Sequence, residues 1–82
     1  MRKARILMVD DNNELLTVNR EFFEGKGYAV LEAINLEQAR LCIENDNPDL
    51  ILLDVMLPDG SGLDFCHEIR EKARARKSDN KI

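Results

Sequence analysis

The chain has 82 residues, 44% hydrophobic and 34% charged, with a formal net charge of −4 at pH 7. That length allows one compact unit with a marginal core, and that composition excludes a disordered chain. No apolar run approaches the ~18–20 residues of a membrane span, and Ile6–Val9 is too short for the core of a secretory leader. Cys42 and Cys66 are too few for a disulfide scaffold and lack a CxxC spacing, so a reducing, cytoplasmic setting is expected. The charge is uneven. Residues 6–69 hold fourteen acids against three bases, between basic ends of net +3 and +4. An acidic middle argues against phosphate contacts to nucleic acid and suits a bound cation.

In chain order the pattern alternates between strand and helix. Ile6-Leu7-Met8-Val9 is a continuous apolar run stopped by Asp10-Asp11, as expected of a strand buried on both faces. Leu15, Val18 and Phe22 then recur at i, i+3 and i+7, with Leu16 and Phe23 widening the stripe. Asn12 or Asn13 can cap this helix, and Gly25 or Gly27 can end it. A second strand over Tyr28–Ala33 leads to Asn35 and Gln38 in capping-box spacing. The helix that follows presents Leu36, Ala39 and Ile43, and Asn47-Pro48 closes it. Leu50–Leu53 forms a third apolar strand ending at Asp54, and Pro58–Gly62 is a turn-rich loop. Ser61 and Asp64 can box the last helix, which carries Gly62, Phe65, Cys66, Ile69 and Ala73 along one side and turns basic from Lys72. The expected strands cover about 5–10, 28–33 and 49–54, and the helices about 13–25, 36–46 and 62–76.

Short loops make each helix a crossover between parallel strands, which gives an open α/β sheet. The uninterrupted first and third strands are expected to be central and adjacent, and the second, which contains Glu32, to lie at an edge. Strands of a parallel sheet end at one edge, about 4.8 Å apart, so Asp10, Asp11 and Asp54 converge in one crevice. Three carboxylates that close repel, so a proton or a cation must sit among them. An all-oxygen set favours a hard ion such as Mg²⁺. The plainer reading makes Asp11 a helix cap and Asp54 a turn residue, but three acids each ending or following an apolar run favour a site.

The run Ile6-Leu7-Met8-Val9-Asp10-Asp11-Asn12, and then Asp54-Val55-Met56-Leu57-Pro58-Asp59-Gly60-Ser61-Gly62, resembles the receiver domain of two-component response regulators. Gly27-Tyr28 and Pro48-Asp49 fit the same family, and the resemblance covers essentially the whole chain. It implies a partial flavodoxin-like doubly wound sheet, with three of an expected five strand–helix units and the strand order 2-1-3-4-5. It implies that Asp54 is the phosphoacceptor, that Asp11 and Asp10 hold Mg²⁺, and that the backbone carbonyl of Met56 is a further ligand. The implied partner is a sensor histidine kinase, and the implied output is a separate domain, often DNA-binding. In the family a hydroxyl residue and a lysine complete the site from later strands, and the chain is read as ending where the next strand should begin. The third strand would then present a free edge, with self-association as the expected consequence.

Other features carry less. His67-Glu68-Ile69-Arg70 is superficially like the phosphorylated histidine box of sensor kinases, but the proline that should follow is missing, so His67 is read as a surface residue. Cys42 and Cys66 are read as free thiols. The basic run Arg70–Lys81 is read as a solvated helix end. Two alternatives stand beside the phosphoacceptor. One is a receiver-like interaction fragment that is not phosphorylated. The other is a Mg²⁺-dependent hydrolase with an aspartyl nucleophile, against which Met56 stands where a second acid is usual.

Overall fold

Three apolar runs become three parallel strands: β1 (Arg5–Val9), β2 (Ala29–Ala33) and β3 (Leu50–Leu53). The structure is a computed structural model that describes residues 3–80, with side chains through Arg74. The sheet order is β2-β1-β3. Val9 lies opposite both Ala33 and Leu53, so the three strands end level. Helices α1 (Asn13–Gly25) and α2 (Leu36–Asp46) serve as the crossovers, and α3 (Gly62–Asn80) follows a small hairpin of β4 (Met56–Leu57) and β5 (Gly60–Ser61).

The alternation of β1 side chains divides the core. Leu7 and Val9 face Leu36 and Ala39 of α2 and Phe65 of α3. Ile6 and Met8 face Leu16 of α1. The side chains of Ile6, Leu7, Met8 and Val9 are all buried, as a central parallel strand requires. This is the flavodoxin-like arrangement, with helices on both faces of a parallel sheet. The direction of strand addition reverses between β1 and β3.

Local chemistry sets the helix ends. The Asn12 side chain accepts from the Leu15 amide at 3.1 Å, and Asn35 accepts from the Gln38 amide at 2.8 Å. Gln38 reaches back to the amide of Ile34, one residue before the cap, at 3.0 Å. Ser61 Oγ accepts from the Leu63 and Asp64 amides at 3.2 and 3.4 Å. Gly27 takes the left-handed turn after α1 with φ of 97°, and Asn47 does so after α2 with φ of 52°.

Several expectations change. On α1 the stripe against the sheet is Leu16 and Phe23, while Leu15, Val18 and Phe22 are 44%, 62% and 57% exposed. Two apolar stripes lie side by side on this helix, and the seat of α1 over Ile6, Met8 and Val30 takes only one of them. Between Leu16 and Phe23, Arg20 pairs with Glu32 of β2 at 3.2 Å. β3 adjoins β1 as expected; it is not central, as its apolar run suggested, but outermost among the described strands, as the family strand order implies. Leu50 and Leu52 are 51% and 37% exposed on the α1 face, because they lie beside Ile6 and Met8 where α1 does not reach. Among the described residues, no strand pairs with the outer edge of β3.

The loop after Asp54 holds the two-stranded hairpin, in which Met56 pairs with Ser61. The last helix runs to Asn80 instead of 76, since Ala73-Arg74-Ala75-Arg76-Lys77 are strong helix formers with no breaker among them. Ala73 is exposed, so the apolar side of α3 ends at the half-buried Ile69. Of the basic run, the side chains beyond Arg74, and Lys81 and Ile82 altogether, lie outside the described residues.

Leu7 is fully buried at the centre of the α2–α3 face. Leu7→Ala is expected to cost about 2–5 kcal/mol, read as a lower denaturant midpoint. An unchanged midpoint would refute the packing described.

Candidate functional site

Asp10 follows β1 and Asp54 follows β3, and adjacent parallel strands deliver them to the same edge. The backbone holds both. The Asp54 amide donates to the Val9 carbonyl, and the Asp10 amide donates to the Ala33 carbonyl, each at 3.0 Å. The Asp10 carboxylate accepts from the Asn12 amide at 3.0 Å, a turn that begins α1 and leaves Asp11 exposed. One carboxylate oxygen from each of Asp10, Asp11 and Asp54 lies within 4.8 Å of the others. Asp10 and Asp54 are half-buried. A cleft of about 180 Å³ opens beside them between α1 and β3, walled by Leu16, Asn19 and Leu52. A cleft of similar size, about 190 Å³, lies between α2 and α3 around Arg40, Phe65 and Glu68, across the sheet from α1.

Unit charges at that separation repel by about 1 kcal/mol in water, and by about 3–4 kcal/mol at an effective dielectric of about 20. The donor set is entirely oxygen, as hard divalent cations prefer. Oxygens around an octahedral Mg²⁺ lie about 3.0–4.2 Å apart, so a small inward movement, or a bridging water, lets this cluster hold such an ion.

The segment after Asp54 is closely tied. The Gly62 amide donates to the Val55 carbonyl at 2.7 Å. A Cβ on Gly62 would sit 2.0 Å from the Asp54 carbonyl oxygen, so a side chain there would push the strand exit aside. At the hairpin tip the two Asp59 oxygens accept from the Leu36 and Glu37 amides at 2.9 and 3.2 Å. The Leu36 amide, above all, holds the Asp59 carboxyl below its ordinary value. Across the α2–α3 cleft Arg40 makes two 3.0 Å hydrogen bonds to Glu68, and its guanidinium lies 5.2 Å from the centre of the Phe65 ring. That pairing likewise holds the Glu68 carboxyl low.

Asp10, Asp11 and Asp54 thus come together. The Met56 side chain is 80% exposed in β4. His67 is exposed and lies 3.7 Å from Glu71 on its own helix. Cys42 and Cys66 are free and half-buried. The role of Asp59 was not legible as more than a turn residue, because its partners lie 22 and 23 residues away. Nothing in the spacing of the sequence marks them.

The family model described as response regulator receiver domain matches residues 6–78. The chain belongs to this family. It is 40% identical over 68 residues to the alkaline phosphatase synthesis transcriptional regulatory protein PhoP of Bacillus subtilis, covering 83% of this chain and 28% of that protein. It is 43% identical over 67 residues to the transcriptional regulatory protein CpxR of Klebsiella pneumoniae, covering 82% and 28%. The non-phosphorylated HemR receiver domain of Leptospira biflexa superposes with a TM-score of 0.81 at 35% identity, covering 88% of this chain and 58% of that one. The chain therefore spans a little over a quarter of the curated relatives it matches. A receiver is a signalling domain and not a classical enzyme. Among the described residues of this receiver, no helix is long and apolar enough to cross a membrane.

Asp59 and Glu68 have depressed folded-state pKa values. The stability they contribute is present above the ordinary carboxylate values of about 3.9 and 4.3, and is lost as pH falls from there through the lower folded values. Thermal melts between pH 6 and pH 3 should show this loss, and Asp59→Asn should flatten the acid limb. An acid limb unchanged by that substitution would contradict the assignment.

Proposed function

We propose that this receiver accepts a phosphoryl group on Asp54 from a partner sensor histidine kinase in a Mg²⁺-dependent phosphorelay. The observation that supports this most is the cluster of Asp10, Asp11 and Asp54 oxygens within 4.8 Å. An Asp54 carboxylate oxygen attacks phosphorus, and the bond from phosphorus to the donor's imidazole nitrogen breaks. The products are an aspartyl phosphate and a free histidine. Asp54 is suited to in-line attack because its amide is tied to the end of β1. Asp10 and Asp11, with Asp54 and the Met56 carbonyl, would hold Mg²⁺. The ion supplies positive charge to offset the carboxylate and phosphoryl oxygens. Small acyl phosphates would serve as alternative donors, and the same site would return the phosphoryl group to water. A cytoplasmic setting follows from a kinase partner of this kind. Control of an output domain, one that binds DNA in many members of the family, belongs to the same proposal; the matched relatives PhoP and CpxR are named as transcriptional regulatory proteins.

The test is phosphate incorporation by the intact protein from a small acyl phosphate with Mg²⁺. Label that is released by alkali and by hydroxylamine, as from an acyl phosphate, is expected in the wild type. It should fall to background in Asp54→Asn and on chelation of the metal. Undiminished label in Asp54→Asn would overturn the assignment.

A second reading is favoured by the outer edge of β3, with which no strand pairs among the described residues, and by the exposed Leu50 and Leu52 on that strand. In that reading the 82-residue chain is an interaction module that is not phosphorylated and pairs with a second copy through β3. Sedimentation of this chain should then show concentration-dependent self-association. A compact, cooperatively folding monomer would sink that reading.

A further inference from the structure

We infer that Asp59 is a positioning residue for the phosphoacceptor Asp54, holding the hairpin after Asp54 against the start of α2. This rests on the phosphoacceptor reading and adds a residue outside the acidic cluster.

The bonds around the site form a closed ring. The Asp54 amide is bonded to Val9, and Asp10, the next residue, is bonded through its amide to Ala33 at the end of β2. Three residues on, α2 begins at Leu36. The Leu36 and Glu37 amides hold the two oxygens of Asp59. From Asp59 the chain runs back through β4 to Asp54. Asp59 is the side-chain link in a ring otherwise made of backbone. The base of the hairpin cannot slide, since Gly62 is bonded to Val55 and crowds the Asp54 carbonyl. Beside the link, Leu57 and Leu36 share one core, and Gly60 lies so near that an added Cβ would come within 2.9 Å of Leu36 Cδ1.

Asn35 satisfies the Gln38 amide, and Asp59 completes the cap at the first two helical amides. That distant carboxylate joins the helix to the hairpin. Its loss frees the tip from the helix amides and leaves the segment after Asp54 held by the Gly62–Val55 bond at its base and by Leu57 in the core with Leu36.

The test compares Asp59→Ala, Asp59→Asn and Asn35→Ala in the intact protein. Mg²⁺ affinity is measured by calorimetry, the Mg²⁺ dependence of labelling by an acyl phosphate is followed in parallel, and thermal melts report folding. Asp59→Ala should weaken Mg²⁺ binding by about tenfold, the lower end for groups that orient metal ligands. Asp59→Asn, which keeps one acceptor oxygen, should recover most of it. Asn35→Ala should lower the melting temperature and leave Mg²⁺ affinity unchanged. Wild-type affinity in Asp59→Ala would overturn the inference. So would equal weakening in Asp59→Asn, which marks lost charge, or in Asn35→Ala, which marks lost helix stability. A wild type that binds no Mg²⁺ would overturn the phosphoacceptor reading itself, and this inference with it.

Discussion

Everything at the site depends on β1 being paired on both edges by parallel strands. Parallel pairing makes neighbouring strands end together, and the register that sets Val9 against Leu53 and Ala33 leaves no other place for Asp10 and Asp54. The arrangement is costly, because it gathers negative charge. Burial of the β1 side chains opposes that cost. Each fully buried aliphatic side chain contributes about 1.5–3 kcal/mol, and four of them lie within Ile6–Val9. Asp11 is exposed and Asp10 and Asp54 are only half-buried, so water screens their repulsion toward about 1 kcal/mol per pair, about 3 kcal/mol for the three pairs, which is smaller than that sum. The strand therefore carries the acids at its end, and the acids do not decide the fold.

The two sides of the site are built differently. On the β1 side, Asp10 is held by strand pairing and by the turn that opens α1. On the β3 side, Asp54 leads into a hairpin with little regular structure of its own. Long-range bonds replace regularity there: Gly62 closes the base, and Asp59 ties the tip to α2. A short segment bonded at both ends has little freedom to move, which suits the phosphoacceptor role proposed for Asp54.

The two faces of the sheet also differ. The α2–α3 face buries Phe65 and Leu7 almost fully, and the Arg40–Glu68 pair spans the cleft between its helices. The α1 face is open beside the helix. Leu15, Val18 and Phe22 of α1 and Leu50 and Leu52 of β3 all keep substantial exposure there. Of these, Leu52 also lines the cleft beside Asp10 and Asp54.

The sequence by itself determined the elements and the chemistry at their ends. Apolar runs and helical periods are local signals, as are Asn12, Asn35 and Ser61 ahead of their helices, so they were legible without tertiary context. The convergence of Asp10, Asp11 and Asp54 was legible too, because parallel strands leave no choice of edge. Tertiary structure alone decided which stripe of α1 is buried, since the helix carries two and the sheet seats one. It also decided how far Leu50 and Leu52 are covered: an apolar run such as Leu50–Leu53 reports what a strand prefers, not how many neighbours it has among the described residues. It brought Asp59 to α2 and Arg40 to Glu68 across gaps of more than twenty residues. Such pairs depend on how crossover helices dock, and docking is settled by the packing of the whole core.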